Sequence, residues 1–318
     1  MPSRELARSA AVTVERLGLG ASERFVAVSN PEQAPIAAAI AAAARERSGQ
    51  VLEVVFATLS RHGEEPPAEV AAALAEADAA VLVTVFSLSH TRARLEATRG
   101  GTRVASMPDM TVGMFERTLP VDYAQLESVG RALAAELSAA ERCRLRSPAG
   151  TDVELVLRGR AGRSDDGDLR APGAFGNLPA GEAYIAPVEH EGEGTIVFDG
   201  SLASHGLLAE PLRIVLEHGR LSTASGGAAA SWLPATLDAG GSNGRFIAEL
   251  GIGTNPAAIL TGKILEDEKV EGTAHLAFGT NTGIGGENEA SVHIDGLIKL
   301  PTIELDGRVV MHEGRLVG

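Results

Sequence analysis

Between Ile247 and Asp295 the chain places Glu249, Glu268, His275, His293 and Asp295 among glycines and short apolar runs, in the segments IAELGIGTNP, LEDEKVEGTAHLAFG and SVHIDG. Carboxylates together with two histidines are the ligand set of a divalent metal site. His293 and Asp295 are two residues apart, so on a strand their side chains leave the same face and can grip one ion. His275 lies in AHLAFG, an apolar run that also reads as a strand and can lie alongside. With imidazole and carboxylate but no thiolate, Zn(II), Co(II), Mn(II) and Fe(II) all qualify.

Two arrangements follow from these residues. One ion held by His275, His293 and Asp295 would form a two-histidine, one-carboxylate triad, which leaves coordination positions open for oxygen chemistry at Fe(II). Two ions roughly 3.5–4 Å apart would use the extra carboxylates, one of them bridging, to generate hydroxide and polarise a carbonyl. The bland alternative is that acidic runs such as LEDEKVEG are solvated surface. It weakens for His275, His293 and Asp295, because a charge inside an apolar strand pattern needs a partner when buried.

Other segments offer fewer groups. In NLPAGEAYIAP, Glu182 stands where a turn passes into a strand, two residues before Tyr184. In SLSHTRARLEA, His90, Arg92 and Arg94 follow the most apolar strand at its carboxyl end, where open α/β sheets place ligands; Ser89 or Thr91 also suits a helix N-cap. The glycine-rich GIGTNP and GTNTGIGGEN lack the lysine-serine spacing of a phosphate loop and the strand-to-helix setting of a dinucleotide fingerprint. No G-x-S-x-G elbow occurs, and Cys143 has no motif around it.

The elements that must position these groups fall into two textures. Up to about residue 140, apolar strand runs (RFVAVSN, VLEVVFATL, AAVLVTVF, TRVASMP) alternate with alanine-rich helical stretches. That alternation predicts βαβ units and a mostly parallel sheet. A helix is expected from about Asp122 to Arg142. After Ser147-Pro148 come short alternating strands with Gly or Asp-Gly turns, such as TDVELVLRG, LRIVLEHG and TIELDGRVVMHEGRLVG, which are hairpin signals. The expectation is an α/β domain over 1–146 that contributes substrate contacts, followed by an α+β, antiparallel-strand-rich metal-binding domain over 147–318.

Composition narrows the partners. The 318 residues carry 42 acidic against 28 basic side chains, a formal net charge of −14. This leaves no basic surplus for nucleic acid or anionic lipid. A single cysteine excludes cysteine-rich metal sites and an intrachain disulfide. The N-terminus lacks the apolar core of a signal peptide and no run of about 18 apolar residues occurs, so a cytoplasmic location is expected.

Taken together, the blocks NLPAGEAYIAP, AELGIGTNP, DEK…H-x-A-x-G and VHID resemble the aminopeptidase T family of metallo-aminopeptidases, best over residues 173–314. The resemblance implies Glu182, Glu249, Glu268, His275, His293 and Asp295 as ligands of one or two divalent ions, and a homodimer. Where that family carries a tyrosine beyond the third-block histidine, this chain has TNTG, with Thr282 near the place. A related branch, similar to the 2,5-dihydroxypyridine ring-opening dioxygenases, uses the same framework with a single Fe(II), and the SLSHTRAR segment and the H…H-x-D triad are similar to it.

The expectation is therefore a metal-dependent hydrolase releasing an N-terminal amino acid or cleaving a small amide with Zn, Co or Mn. In it Glu249 or Glu182 would take the proton from metal-bound water, and His90, Arg92 and Thr282 would contact a peptide or small-molecule substrate. The alternatives are an Fe(II) ring-cleaving dioxygenase and a non-catalytic metal or small-molecule binding protein.

Overall fold

The computed structural model describes residues 3–317. The chain divides into two compact units, Met1–Tyr123 with Gly167–Ala180, and Ala124–Asp166 with Gly181–Gly318. A single cut near residue 146 does not reproduce this division, because the chain returns to the first unit after entering the second. Among the described residues no helix is long and apolar enough to cross a membrane.

The first unit is α/β. Its parallel sheet runs in the order Gln50–Val55, Arg24–Ser29, Ala79–Val83, Arg103–Ser106, Phe175–Asn177. The central strands are apolar on both faces: Ala79–Val83 is buried throughout, as a parallel strand covered on two sides must be. Helices follow the strands, and their ends obey local chemistry. Ser3 caps the Arg4–Arg16 helix by accepting from the Leu6 amide at 2.9 Å. Thr91 accepts from the Arg94 amide at 3.3 Å at the head of Arg92–Arg99, satisfying an amide that the first helical turn leaves without a partner.

The second unit holds two antiparallel sheets. One has eight strands in the order Arg220–Ser225, Leu212–Glu217, Glu193–Phe198, Asp152–Val156, Arg142–Arg146, Thr302–Leu305, Arg308–His312, Arg315–Leu316. The other has seven: Gly206–Leu207, Ser201–Leu202, His293–Lys299, Thr273–Gly279, Ile247–Gly253, Glu182–Ile185, Arg163–Asp165. Leu145, Val153, Leu155, Ile196 and Phe198 of the first sheet share one apolar cluster with Leu250, Ile252, Leu276, Phe278 and Ile298 of the second. The expected fold class, α/β followed by an antiparallel-strand-rich region, is the one observed.

The helix expected to run to Arg142 stops at Ala139, and Arg142–Arg146 is a strand. The alternation Arg-Cys-Arg-Leu-Arg has the period of a strand with one wet face, and it carries Cys143 fully into the core. Burial pushes the Cys143 thiol up to about 12, helped by Asp306 and Glu304, which makes it inert as a nucleophile.

Phe198 joins the two sheets. It is fully buried, and its ring lies over Gly296, where an added Cβ would come within 2.6 Å of the ring carbons. Phe198→Ala is expected to cost about 3–5 kcal/mol, the range for a large core deletion, read as a lower urea midpoint at unchanged slope. A loss under about 1 kcal/mol would show that the sheets do not depend on this contact.

Candidate metal centre

Five adjacent strands of the seven-stranded sheet deliver the chemistry. Paired residues in a sheet share a face, as do residues two apart on one strand. Glu182 pairs with both Asp165 and Gly253, Gly251 with His275, Glu249 with Ala277, and Ala277 with Asp295, next to Gly279 with His293. Asp165, Glu182, Glu249, His275, His293 and Asp295 therefore stand on a single face. The other face, with Ile185, Leu250, Ile252, Leu276, Phe278 and Ile298, feeds the core. Small residues separate the functional ones. A Cβ on Gly251 would fall 2.0 Å from His275 Nε2, so the imidazole lies flat over the neighbouring strand only because that position is glycine.

The donor atoms form two groups, Glu182–Glu268–His275 and Glu249–His293–Asp295, in each of which three ligand atoms lie within 4.8 Å of one another. Glu249 joins them, with Oε1 3.4 Å from His275 Nε2 and Oε2 3.5 Å from His293 Nε2. His293 Nε2 is also 3.3 Å from Asp295 Oδ1, and its Nδ1 meets the Thr280 carbonyl at 2.8 Å. That contact gives Nδ1 the proton and turns Nε2 toward the carboxylates, the outer-shell arrangement usual for a ligating histidine. His275 Nε2 lies 3.3 Å from Glu182 Oε2, outside hydrogen-bonding alignment. That oxygen and His275 Nδ1 are both buried without a hydrogen-bond partner. The mixed imidazole and carboxylate donor set of each group fits a divalent cation. All six residues singled out as ligands thus converge, with His275 in the group of Glu182 and Glu268.

Lys269 and Asp165 also belong to the cluster, and the sequence reading missed both. Lys269 is fully buried, with Nζ 2.5 Å from Glu182 Oε1, 2.8 Å from Glu268 Oε1 and 3.4 Å from Asp165 Oδ2. Its one signal in the sequence is its place beside Glu268 in LEDEKVEG, a run with the composition of a solvated surface. Asp165, in RSD, carries no signal of its own.

Burial and charge set the protonation of the metal-free cluster. Burial pushes the Glu268 carboxyl up to about 8, and Glu182 and Asp295 add to this against Lys269. Burial likewise lifts Asp165 to about 7. For His275, burial opposes the charge, but the Glu249 hydrogen bond and the Glu182 charge raise it to about 9. Burial also opposes the charge on His293, yet Asp295 and Glu249 hold it well above its ordinary value. Glu249, despite its burial, is held well below the usual carboxylate range by the two imidazoles. These shifts express one fact: five carboxylates face one ammonium and two imidazoles, and protons make up the shortfall.

The other expected site residues are described within their own units. His90 is exposed in the turn before Arg92–Arg99. Arg92 is exposed, with its guanidinium 3.9 Å from Glu96. Both belong to the first unit. Arg94 is the buried one of the segment, stacked 4.0 Å from the Phe175 ring and donating from Nε to the Ser89 carbonyl at 2.6 Å. Thr282, in the second unit, opens an exposed 3-10 turn, with its hydroxyl 3.5 Å from that of Thr280.

Two outcomes test the geometry. Gly251→Ala is expected to force the His275 ring away from Glu249, 3.4 Å from its Nε2, and weaken Mn(II) binding roughly 10–100-fold, the range for a disturbed outer-shell partner, as measured by titration. Unchanged affinity would show that this ring does not serve the metal. A group whose folded pKa is raised contributes stability that is present below its unfolded value and lost as pH rises through the folded value. Glu268, starting from 4.5, and His275, reaching about 9, therefore predict metal-free protein that loses stability across that interval. Melting temperatures with and without Mn(II) check this, since bound metal should flatten the slope.

Comparison with known proteins settles the lineage. A family model described as NicX, 2,5-dihydroxypyridine 5,6-dioxygenase, matches residues 7–318. The curated 2,5-dihydroxypyridine 5,6-dioxygenase of Pseudomonas putida is 26% identical over 252 residues, covering 74% of this chain and 71% of that protein. The solved 2,5-dihydroxypyridine dioxygenase from Pseudomonas putida shares the fold with a TM-score of 0.84 at 20% identity, over 100% of this chain and 99% of that one. Wild-type AmpT from Thermus thermophilus shares it with a TM-score of 0.75 at 20% identity, over 99% of each.

The expected hydrolase, with its aminopeptidase and proteolytic roles for Glu249 and Glu182, is thereby corrected. The likeness to AmpT is one of fold, and the blocks that suggested a peptidase form a metal-site framework that does not specify the reaction. The chain belongs to the 2,5-dihydroxypyridine 5,6-dioxygenase family.

Proposed function

We propose that this chain is a dioxygenase that opens the ring of a dihydroxylated, pyridine-like aromatic at a single Fe(II) held by Glu249, His293 and Asp295. The observation that carries the reading is this mixed imidazole-carboxylate set, with donor atoms within 4.8 Å of one another, in a chain matched to the dioxygenase family over residues 7–318. This set differs from the His275–His293–Asp295 triad expected from the sequence, because His275 groups with Glu182 and Glu268 and Glu249 takes its place. Its imidazole nitrogen and carboxylate oxygens are donors that Fe(II) accepts. When bound, Fe(II) supplies open coordination positions and redox chemistry through which dioxygen can react with an electron-rich ring.

The chain's own residues do the positioning. The Thr280 carbonyl fixes the His293 tautomer, and His275 Nε2 steadies Glu249 from the opposite side. The glycine-rich segment after Thr280 is tied down by Glu189, which accepts from Asn281 Nδ2 and from the Glu287 amide, each at 2.7 Å. Arg160 pairs with the other oxygen of Glu189. Asn288 donates to the Gly279 carbonyl at 2.6 Å. These bonds keep that segment from collapsing onto His293, whose side chain is 28% exposed and is the ligand most open to an incoming ring.

Protein purified without oxygen and loaded with Fe(II) is expected to take up one O2 per 2,5-dihydroxypyridine consumed, with both atoms of labelled oxygen appearing in the ring-opened product. Asp295→Ala should abolish uptake and weaken iron binding by more than about 100-fold, beyond the range of outer-shell changes. Iron-loaded wild-type protein that consumes no oxygen with dihydroxylated pyridines or benzenes would sink the reading.

A further inference from the structure

We propose that Lys269 is a built-in cation that fills the Asp165–Glu182–Glu268 half of the site and keeps a second metal ion out of it. The proposal rests on the reading above in one respect, that the native chain carries a single divalent ion.

The placement of Lys269 is unusual for a lysine. Its side chain is fully buried, and its Nζ reaches carboxylates from three separate segments, at 2.5 Å, 2.8 Å and 3.4 Å. Two of those carboxylates, Asp165 and Glu182, stand directly opposite each other on neighbouring strands. Like charges in that position repel and need a cation between them when water is excluded. The backbone puts the lysine there by design of the register. The Asn255 amide donates to the Lys269 carbonyl at 2.8 Å, and Asn255 bridges Val270 next to it. Gly253, paired with Glu182, leaves the room: a Cβ there would lie 2.9 Å from the Lys269 carbonyl carbon.

The donors on this side would otherwise make a metal site. Glu182, Glu268 and His275 bring ligand atoms within 4.8 Å of one another, and Glu182 Oε2 is buried without a hydrogen-bond partner. The ammonium uses Glu182 Oε1 and Glu268 Oε1. A divalent ion bound to the same oxygens would meet that positive charge at contact distance. Lysine supplies one fixed charge that cannot dissociate, in place of an exchangeable ion with two. Among the described residues no ion pair joins an ammonium to Glu249 or Asp295, and the Glu249–His293–Asp295 half stays available.

The experiment counts Mn(II) per full-length chain by equilibrium dialysis with elemental analysis, and follows the bound ions by electron paramagnetic resonance. Wild type is expected to bind one ion, Lys269→Met two, with the spin coupling of a close pair, and Lys269→Arg one. If Lys269→Met folds only when Mn(II) is added and then holds two ions, the metal has replaced the ammonium and the assignment stands. Lys269→Met that folds with one ion, or stays unfolded at saturating Mn(II), overturns it. Two ions in the wild-type chain would refute the single-ion reading itself, along with the assignment built on it. Oxygen uptake is scored separately, so loss of the dioxygenase reading leaves the ion count interpretable.

Discussion

Carboxylates gathered on a dry sheet face repel one another, and that repulsion governs the rest of this molecule. Asp165, Glu182, Glu249 and Asp295 share one face of the seven-stranded sheet with Glu268 above it. Without compensation, burial of this kind unfolds a protein or forces it to take up protons. Here each half of the cluster has its own compensation, an ammonium on one side and the His293 imidazole with room for a metal on the other, with the His275 imidazole between Glu182 and Glu249. The stability of the second unit and its capacity to bind a cation are thus two aspects of the same electrostatics.

That face tolerates so much charge because the opposite face and the second sheet supply the apolar area. Leu250, Ile252, Leu276 and Phe278 alternate with the site residues along the same strands and pack against Leu155, Ile196 and Phe198. Small residues then set the spacing. Gly251 admits the His275 ring, Gly253 admits the Lys269 backbone, and Gly296 admits Phe198. The glycines in IAELGIGTNP and VHIDG are therefore part of the site's construction, each determining what can approach the strand from one side.

What the sequence revealed follows from what is local. Parity along a strand is local, so His293 and Asp295 were legible as a pair and AHLAFG as their neighbour. The alternation of apolar strands with alanine-rich helices was legible for the same reason. Cross-strand geometry is not local. Nothing in RSD announces that Asp165 will face Glu182, and nothing in LEDEKVEG tells which of its charges turns inward, because composition reads the run as surface while tertiary packing buries Lys269 completely. The helix expected through Arg142 failed on a five-residue signal, RCRLR, whose period of two was masked by the helical run before it. The reaction was least legible of all. A set of carboxylates and histidines specifies that a cation binds and leaves open whether water or dioxygen is the co-reactant, so the peptidase reading fell to the family match across the chain.

The parallel sheet of the first unit is closed by Phe175–Asn177, which pairs with Arg103–Ser106. Between those two strands the chain makes the Tyr123–Ala139 helix and three strands of the second unit. During synthesis from the N-terminus, the Arg103–Ser106 edge must therefore wait for some seventy residues, 107–174, before its partner leaves the ribosome. An unpaired apolar edge is a template for misassociation. Ribosome-bound nascent chains ending near residue 146 should accordingly need chaperone cover, and the two units cannot be shuffled between proteins as a simple head and tail.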